Sequence, residues 1–380
     1  MFSRQFRKPK ALDKNQKYQK EQNMKAAVLG VGGMGRGPMS ECRESGLFTD
    51  VIGYDIDPAS FEWMKENNHS CSENLDSILS DPEVGLVFVT SSNGAHKPLV
   101  MAALKAGKAV MCEKPIATTL ADAREMVEEA EKRGLFFQIG FELRYSKLYM
   151  MVKDWIDQGV LGEVMNTQCT YICSEFHHKG SWRNKLATGG GMFGEKLSHY
   201  VDLPRWWIGS RVTEVYSACA PNVIPYYEVR DNYHTSYKFE NGAVSQLTFH
   251  MAVGETFDGD PLRDHIEQQK EDGHALRYLI VGTKGAASVD VFHRRIKRWE
   301  FGDSPECMTS KWVEDITWDP KEDQVYYHNT RGQNLDFINR VLAGQPPMTT
   351  ARDAYETMKV VEAAELSADL GKPIRLDTIG

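Results

Sequence analysis

At 380 residues the chain exceeds one ordinary core, so two domains are the starting expectation. A composition of 41% hydrophobic and 26% charged residues is that of a globular protein, and the net charge of −8 argues against nucleic acid, whose phosphates demand a basic surface. No apolar run reaches bilayer-spanning length, so no membrane partner is expected. Seven cysteines, an odd number without a C-x-x-C pair, suggest neither a disulfide framework nor a zinc site, and a reduced, cytoplasmic setting fits them.

The first 23 residues stand apart. They hold seven Lys or Arg against two acids, show no apolar periodicity, and lack the apolar middle of a secretory signal. Two readings stay open: a solvated tail, or an arm ordered against a neighbouring subunit.

From Met24 the pattern changes. "MKAAVLGVGGMGRGP" predicts a short apolar strand running into Gly30, Gly32 and Gly35, which satisfy G-x-G-x-x-G, with a helix following over Met39–Ser45. The next strand, "DVIGYDIDP", ends at Asp55, twenty residues past the last glycine. An acidic side chain there accepts hydrogen bonds from the adenosine ribose and repels a 2′-phosphate, which predicts NAD rather than NADP. Gly30, Gly32, Gly33, Met34, Gly35, Asp55 and Ile56 form the expected cofactor edge, with the pyrophosphate at the helix N-terminus.

Strands and helices keep alternating through "GLVFVTSSNGAHKPLVMAALKAG", "KAVMCEKPIATTLADAREMVEEAEKRG" and "LFFQIGFELRY". That alternation predicts a parallel, doubly wound sheet with ligands beyond the carboxyl ends of its strands. Ser91, Ser92, Asn93, His96, Glu113 and Lys114 lie at such ends and join the cofactor set; Arg144 and Tyr145 follow the last strand and line the same cleft. After about Arg144 the pattern turns to alternating strands such as "SYKFENGAVSQLTFHM", punctuated by the turn "ENG". "GGGMFGEKLSHYVDLPRWW" (Gly189–Trp207) carries Glu195, His199 and Asp202 at spacings of four and three, which predicts one helical face. The charged segment Gly254–Gly273 reads as an insertion between strands that shapes or gates the substrate site.

These motifs, in this order, resemble the glucose–fructose oxidoreductase / inositol dehydrogenase family, written Gfo/Idh/MocA. The resemblance rests on "VLGVGGMG", "AALKAGKAVMCEKP", "SWRNKLATGGG" and the Glu195–His199 helix, and covers nearly the whole chain after Met24. It implies an NAD-binding Rossmann domain over residues 24–143, then a substrate and oligomerisation domain over 144–380 with an open-faced, mostly antiparallel sheet. It also implies a homo-oligomer, dimer or tetramer. Catalysis is implied at Lys114, His199 and Glu195, with Trp182 and Arg183 beside the nicotinamide and substrate. Glu195 stands where the family usually has Asp, and Lys196 is an unusual neighbour.

Oxidising a secondary alcohol requires a base for the hydroxyl proton while hydride leaves carbon. His199 suits that role, Lys114 suits a developing alkoxide, and Glu195 suits an adjacent hydroxyl. Substrate contacts are expected at Lys114, Arg144, Tyr145, His178, Glu195, His199 and Asp202, the last as an orienting group. Adjacent His177 and His178 cannot easily share one ion, so no metal is expected. The expected substrate is a sugar or glycoside oxidised at a secondary hydroxyl, C3 favoured. Alternatives are an NAD-dependent glycosidase with recycled cofactor, an inositol or polyol dehydrogenase, and a non-catalytic NAD sensor.

Overall fold

The computed structural model describes residues 24–174, 179–251 and 273–380. The basic arm, and all but the last residue of the Gly254–Gly273 insertion, lie outside those residues.

Six short strands form the first sheet: β1 (Lys25–Leu29), β2 (Asp50–Tyr54), β3 (Ser70–Cys71), β4 (Val84–Val89), β5 (Ala109–Glu113) and β6 (Phe137–Gly140). Their order is β3-β2-β1-β4-β5-β6, and every pairing is parallel. The order reverses between β1 and β4, so their carboxyl ends flank a crevice. The strands read as apolar runs because helices cover both faces: Ala26, Val28, Leu86 and Phe88 pack on one side, Ala27, Leu29, Val87 and Val89 on the other. The first helix runs Arg36–Ser45, starting earlier than expected directly off the glycine loop, and accepts Pro38 in its first turn.

The second sheet has nine strands: β7 (Val164–Ile172), β8 (Val212–Ala218), β9 (Asn232–Phe239), β10 (Val244–His250), β11 (Ala275–Gly282), β12 (Gly285–Asp290), β13 (Arg295–Asp303), β14 (Met308–Thr317) and β15 (Ile374–Arg375). The order is β14-β13-β12-β11-β7-β10-β9-β8-β15, antiparallel except between β7 and β10. β9 and β10 form the hairpin expected around "ENG", with Gly242 at φ +88°. Alternation is clean in β9, where Tyr233, Thr235, Tyr237 and Phe239 turn inward, against the helices Lys147–Asp157, Ser198–Ile208 and Ala351–Leu370.

Packing crosses the boundary expected at residue 144. Phe337 and Ile338, from the helix Thr330–Ala343, share a core with Ala26 and Val28. Ala354, Tyr355 and Met358, from the helix Ala351–Leu370, pack with Ala27 and Leu29. The helices Thr330–Ala343 and Ala351–Leu370 thus bring the chain back against the parallel sheet.

Candidate active site

The glycine loop is shaped by close approach. A Cβ on Gly30 (φ +99°) would lie 2.5 Å from the Ser91 backbone nitrogen, and one on Gly35 would lie 2.0 Å from the Gly30 carbonyl oxygen. Gly32 and Gly33 differ: a Cβ on either would meet no atom within 4 Å, so their backbone faces open space at the mouth of the first helix. Asp55 holds this loop to β2, its carboxylate accepting from the backbone N–H groups of Val31 at 2.6 Å, Ile56 at 2.7 Å and Asp57 at 3.0 Å. Beside it Ile56 is 87% exposed and Met34 45% exposed, apolar side chains offered at the crevice edge. An open glycine backbone, uncapped helix N–H groups and a carboxylate at the end of β2 fit a dinucleotide.

Other sequence-expected groups position the loops around it. His96 was expected at the cofactor; it is wholly enclosed, Nδ1 facing the Pro115 carbonyl at 2.8 Å and Nε2 the Ser91 carbonyl at 3.2 Å. It ties the Glu113–Lys114–Pro115 loop to the Ser91–Ser92 loop, and burial pushes its imidazole down to about 4. Asn93 donates from Nδ2 to the Gly189 carbonyl at 3.3 Å, joining the crevice to the glycine triplet. Glu113 is buried, accepting from Gln333 Nε2 at 3.2 Å and the Lys114 backbone N–H at 3.3 Å. Burial, reinforced by the charge of Glu142, pushes it up to about 7.

Glu195 and His199 do not sit on one regular helix. Phe193–Leu197 is a π-turn that runs into the helix Ser198–Ile208. Such turns are frequent at functional sites, since they re-aim side chains at the cost of regular bonding. The three acidic and imidazole groups therefore face three different partners. Glu195 Oε1 accepts from Arg183 Nε at 2.8 Å, and that guanidinium stacks over Trp182 at 4.7 Å. His199 Nε2 lies 3.3 Å from Glu142 Oε2. Asp202 accepts two bonds from Arg144, at 2.6 and 2.7 Å.

Arg144, Tyr145 and Asp202, expected at the substrate, each have partners within the protein. Arg144 also donates to Asp353 at 2.6 Å, and Thr357 Oγ1 donates to Asp202 at 3.0 Å, so the ion pair is a buried tie to the helix Ala351–Leu370. Tyr145 donates its hydroxyl to Asp336 at 2.9 Å and accepts from Gln138 at 3.1 Å. His178, like Glu175 and His177, lies outside the described residues.

What converges instead is a compact ionisable cluster. Lys114 Nζ donates to the Glu195 carbonyl at 2.5 Å. His199, 4% exposed, is pushed down to about 3 by burial, with Glu142 opposing and Lys114, His328 and Lys196 reinforcing the fall. It is therefore neutral at physiological pH. Its Nδ1 is buried, and among the described residues nothing hydrogen-bonds it. Burial also lowers Lys196, whose Nζ lies 5.8 Å from the Tyr171 ring centroid. Glu142, 6% exposed, faces His328 Nδ1 at 3.0 Å on its other oxygen. Burial opposes its charge, but the facing imidazoles and Lys114 hold the carboxyl below the usual carboxylate range. Sequence reasoning missed Glu142, His328 and Gln333. Glu142 follows β6 at the same carboxyl edge as Arg144, a signal that was available; "VYYHNT" around His328 carries none.

The fold and site together define an NAD-binding oxidoreductase. Residues 24–141 match the oxidoreductase family NAD-binding Rossmann fold, and residues 149–288 match the GFO/IDH/MocA C-terminal domain. The chain belongs to the Gfo/Idh/MocA family. Inositol 2-dehydrogenase of Salmonella typhimurium is 25% identical over 92% of this chain and 95% of its own length. Levoglucosan dehydrogenase of Pseudarthrobacter phenanthrenivorans is 28% identical over 38% of this chain and 39% of its own. A levoglucosan dehydrogenase structure in complex with NADH and levoglucosan superposes with a TM-score of 0.76 at 18% identity, covering 93% of this chain and 100% of that one, and supports the fold. Among the described residues no helix is long and apolar enough to cross a membrane.

Proposed function

We propose that the protein oxidises a secondary hydroxyl of a sugar or glycoside, C3 favoured, with NAD. The observation that carries this reading is a buried, neutral imidazole, His199, whose Nδ1 has no hydrogen-bond partner among the described residues, one helical turn from the carbonyl that holds Lys114. A neutral imidazole accepts the hydroxyl proton. The Lys114 ammonium stabilises charge developing on the same oxygen. Glu195, braced by Arg183, accepts from a neighbouring hydroxyl, and Trp182 offers an aromatic face to a sugar ring. When bound, NAD supplies the hydride acceptor; Gly32, Gly33, Asp55 and the mouth of the first helix would hold it. Inositol 2-dehydrogenase, aligned along nearly its whole length, supports a polyhydroxy substrate.

In the same reading the protein is a homo-oligomer, dimer or tetramer, with the outer face of the nine-stranded sheet, where Tyr216 and Leu279 are exposed, at the contact. The function is tested with sugars, inositols and glycosides, each incubated with NAD and followed by NADH absorbance with product identification. Oxidation at a ring hydroxyl supports it. Glycoside cleavage without net NADH points to the redox-cycling hydrolase, and no reaction across the panel removes the enzymatic reading.

A further inference from the structure

The stretch of chain that carries Trp182 and Arg183 is basic in an acidic protein. From Phe176 to Gly194 it holds Lys179, Arg183 and Lys185 without one Asp or Glu, although the net charge of the chain is −8. Within it the short turn Trp182–Asn184 is braced at every residue. The Trp182 carbonyl accepts from Thr188 Oγ1 at 2.5 Å, and the Arg183 backbone N–H donates to Ser181 Oγ at 3.3 Å. The Asn184 carbonyl accepts from the backbone N–H groups of Glu228 at 2.9 Å and Val229 at 3.3 Å. Gly189 packs against the turn so closely that a Cβ there would lie 2.7 Å from the Arg183 carbonyl oxygen.

The Arg183 side chain is held as well as its backbone. Nε donates to Glu195 Oε1 at 2.8 Å, and the guanidinium carbon stands 4.7 Å from the centroid of the Trp182 ring. Those contacts use one nitrogen and one face. Nη1 and Nη2 hydrogen-bond no group among the described residues, and the side chain is 42% exposed where that of Glu195 is 9% exposed. A guanidinium fixed through Nε presents its other two nitrogens as a planar fork, which matches the two oxygens of a carboxylate. Glu195 also has more than one cation about it. Lys114 donates to its backbone carbonyl, and Lys196 follows it in the chain, within the field of both Glu195 and Lys114. The other carboxylate acting on Lys196, Glu142, faces His328 Nδ1 at 3.0 Å. Glu228 directs Oε2 to the Leu186 backbone N–H at 3.2 Å.

We infer that the Nη edge of Arg183 is a specificity determinant that binds a carboxylate on the substrate, so that the preferred substrate is an acidic carbohydrate such as a uronate. The inference rests on the proposed oxidation of a ring hydroxyl in this cleft and leaves that chemistry unchanged: one CH–OH becomes a ketone as its hydride reduces NAD and its proton passes to the base, and the carboxylate is not altered. A singly charged, planar carboxylate suits a fork beside Glu195 better than a phosphate dianion, which the Glu195 charge repels more strongly.

Binding is read by calorimetry on the full-length protein saturated with NADH, a state in which no oxidation takes place. The probes are D-glucuronate and D-galacturonate, their neutral parents D-glucose and D-galactose, and D-glucose 6-phosphate. Each uronate is expected to bind about 10- to 100-fold more tightly than its neutral parent, the range of a charge-assisted hydrogen-bonded contact. Arg183→Gln abolishes that ratio, and Arg183→Lys retains part of it, since an ammonium keeps the charge without the fork. A purely structural role of Arg183 through Glu195 weakens both members of a pair and leaves their ratio as it was, which contradicts the inference. Equal affinity within each pair, no binding of either uronate, or tighter binding of the sugar phosphate than of the uronates also overturns it. So does a folded Arg183→Gln variant that loses NADH affinity at an unchanged ratio, which assigns the fork to the cofactor phosphates. A uronate preference that depends on Arg183, combined with no oxidation of any carbohydrate by NAD, upholds this inference and removes only the proposed function.

Discussion

Lys114 Nζ donates to the backbone carbonyl of Glu195 at 2.5 Å, a bond between the carboxyl end of β5 and the π-turn before His199. It joins the parallel sheet, which would hold NAD, to the segment that carries His199.

Replacing either member of the centre lowers turnover. His199→Ala and Lys114→Ala are each expected to reduce kcat by about two to four orders of magnitude, the range of acid–base and charge-stabilising groups. NAD affinity, measured by calorimetry, changes less for His199→Ala than for Lys114→Ala. Near-normal turnover in His199→Ala removes it as the base.

Asp55 has two duties. Its carboxylate braces the glycine loop through Val31 N–H, and from its place just after β2 it would meet the adenosine ribose of a bound dinucleotide. NAD is expected to bind more tightly than NADP, and Asp55→Ser to narrow or reverse that preference while lowering the melting temperature. Equal affinity of the unaltered protein for both cofactors contradicts this assignment.

The Arg144–Asp202 pair is expected to act on stability. Asp202→Ala leaves a buried guanidinium facing only Asp353, and removing one partner of a buried pair costs about 3–5 kcal/mol in chemical denaturation. If Asp202→Ala keeps its stability and instead raises KM, Asp202 contacts substrate after all.

Glu113 and the buried histidines give opposite pH slopes. The Glu113 carboxyl, pushed up to about 7 by burial from an ordinary value of 4.5, binds its proton more tightly folded than unfolded. Its contribution is full below about 4.5 and is lost as pH rises through about 7. His96 and His199, pushed down to about 4 and about 3 from 6.5, bind protons less tightly when folded, and stability falls as pH drops below 6.5 through those values. In denaturation series against pH, the unaltered protein should lose stability relative to Glu113→Gln between about 4.5 and 7. A constant difference across that window contradicts the burial argument.

The parallel sheet was legible because each strand is an apolar run ended by turn residues, and Gly30, Gly35 and Asp55 stand where their backbone and charge are needed. That Lys114 and the His199 segment come together was legible by resemblance and by position at a strand end and after a glycine triplet. The rest depends on contacts between distant residues. Glu142 and His328 are 186 positions apart, and a buried carboxylate looks in sequence like any solvated one. His96 opens the helix His96–Lys105 after β4 and turns into the protein, where its ring faces carbonyls of two loops. The π-turn leaves no mark in a spacing of four, and the return of Phe337 to the first sheet was hidden in an ordinary amphipathic pattern.

The central claim is oxidation of a carbohydrate hydroxyl by NAD at Lys114 and His199. Its most direct test is single-turnover formation of NADH by enzyme in excess over each sugar, inositol and glycoside, run in parallel with His199→Ala. The account predicts an NADH burst with at least one carbohydrate, a ketone at the oxidised carbon, and loss of that burst in the variant; no burst with any carbohydrate, or an equal burst in the variant, contradicts it.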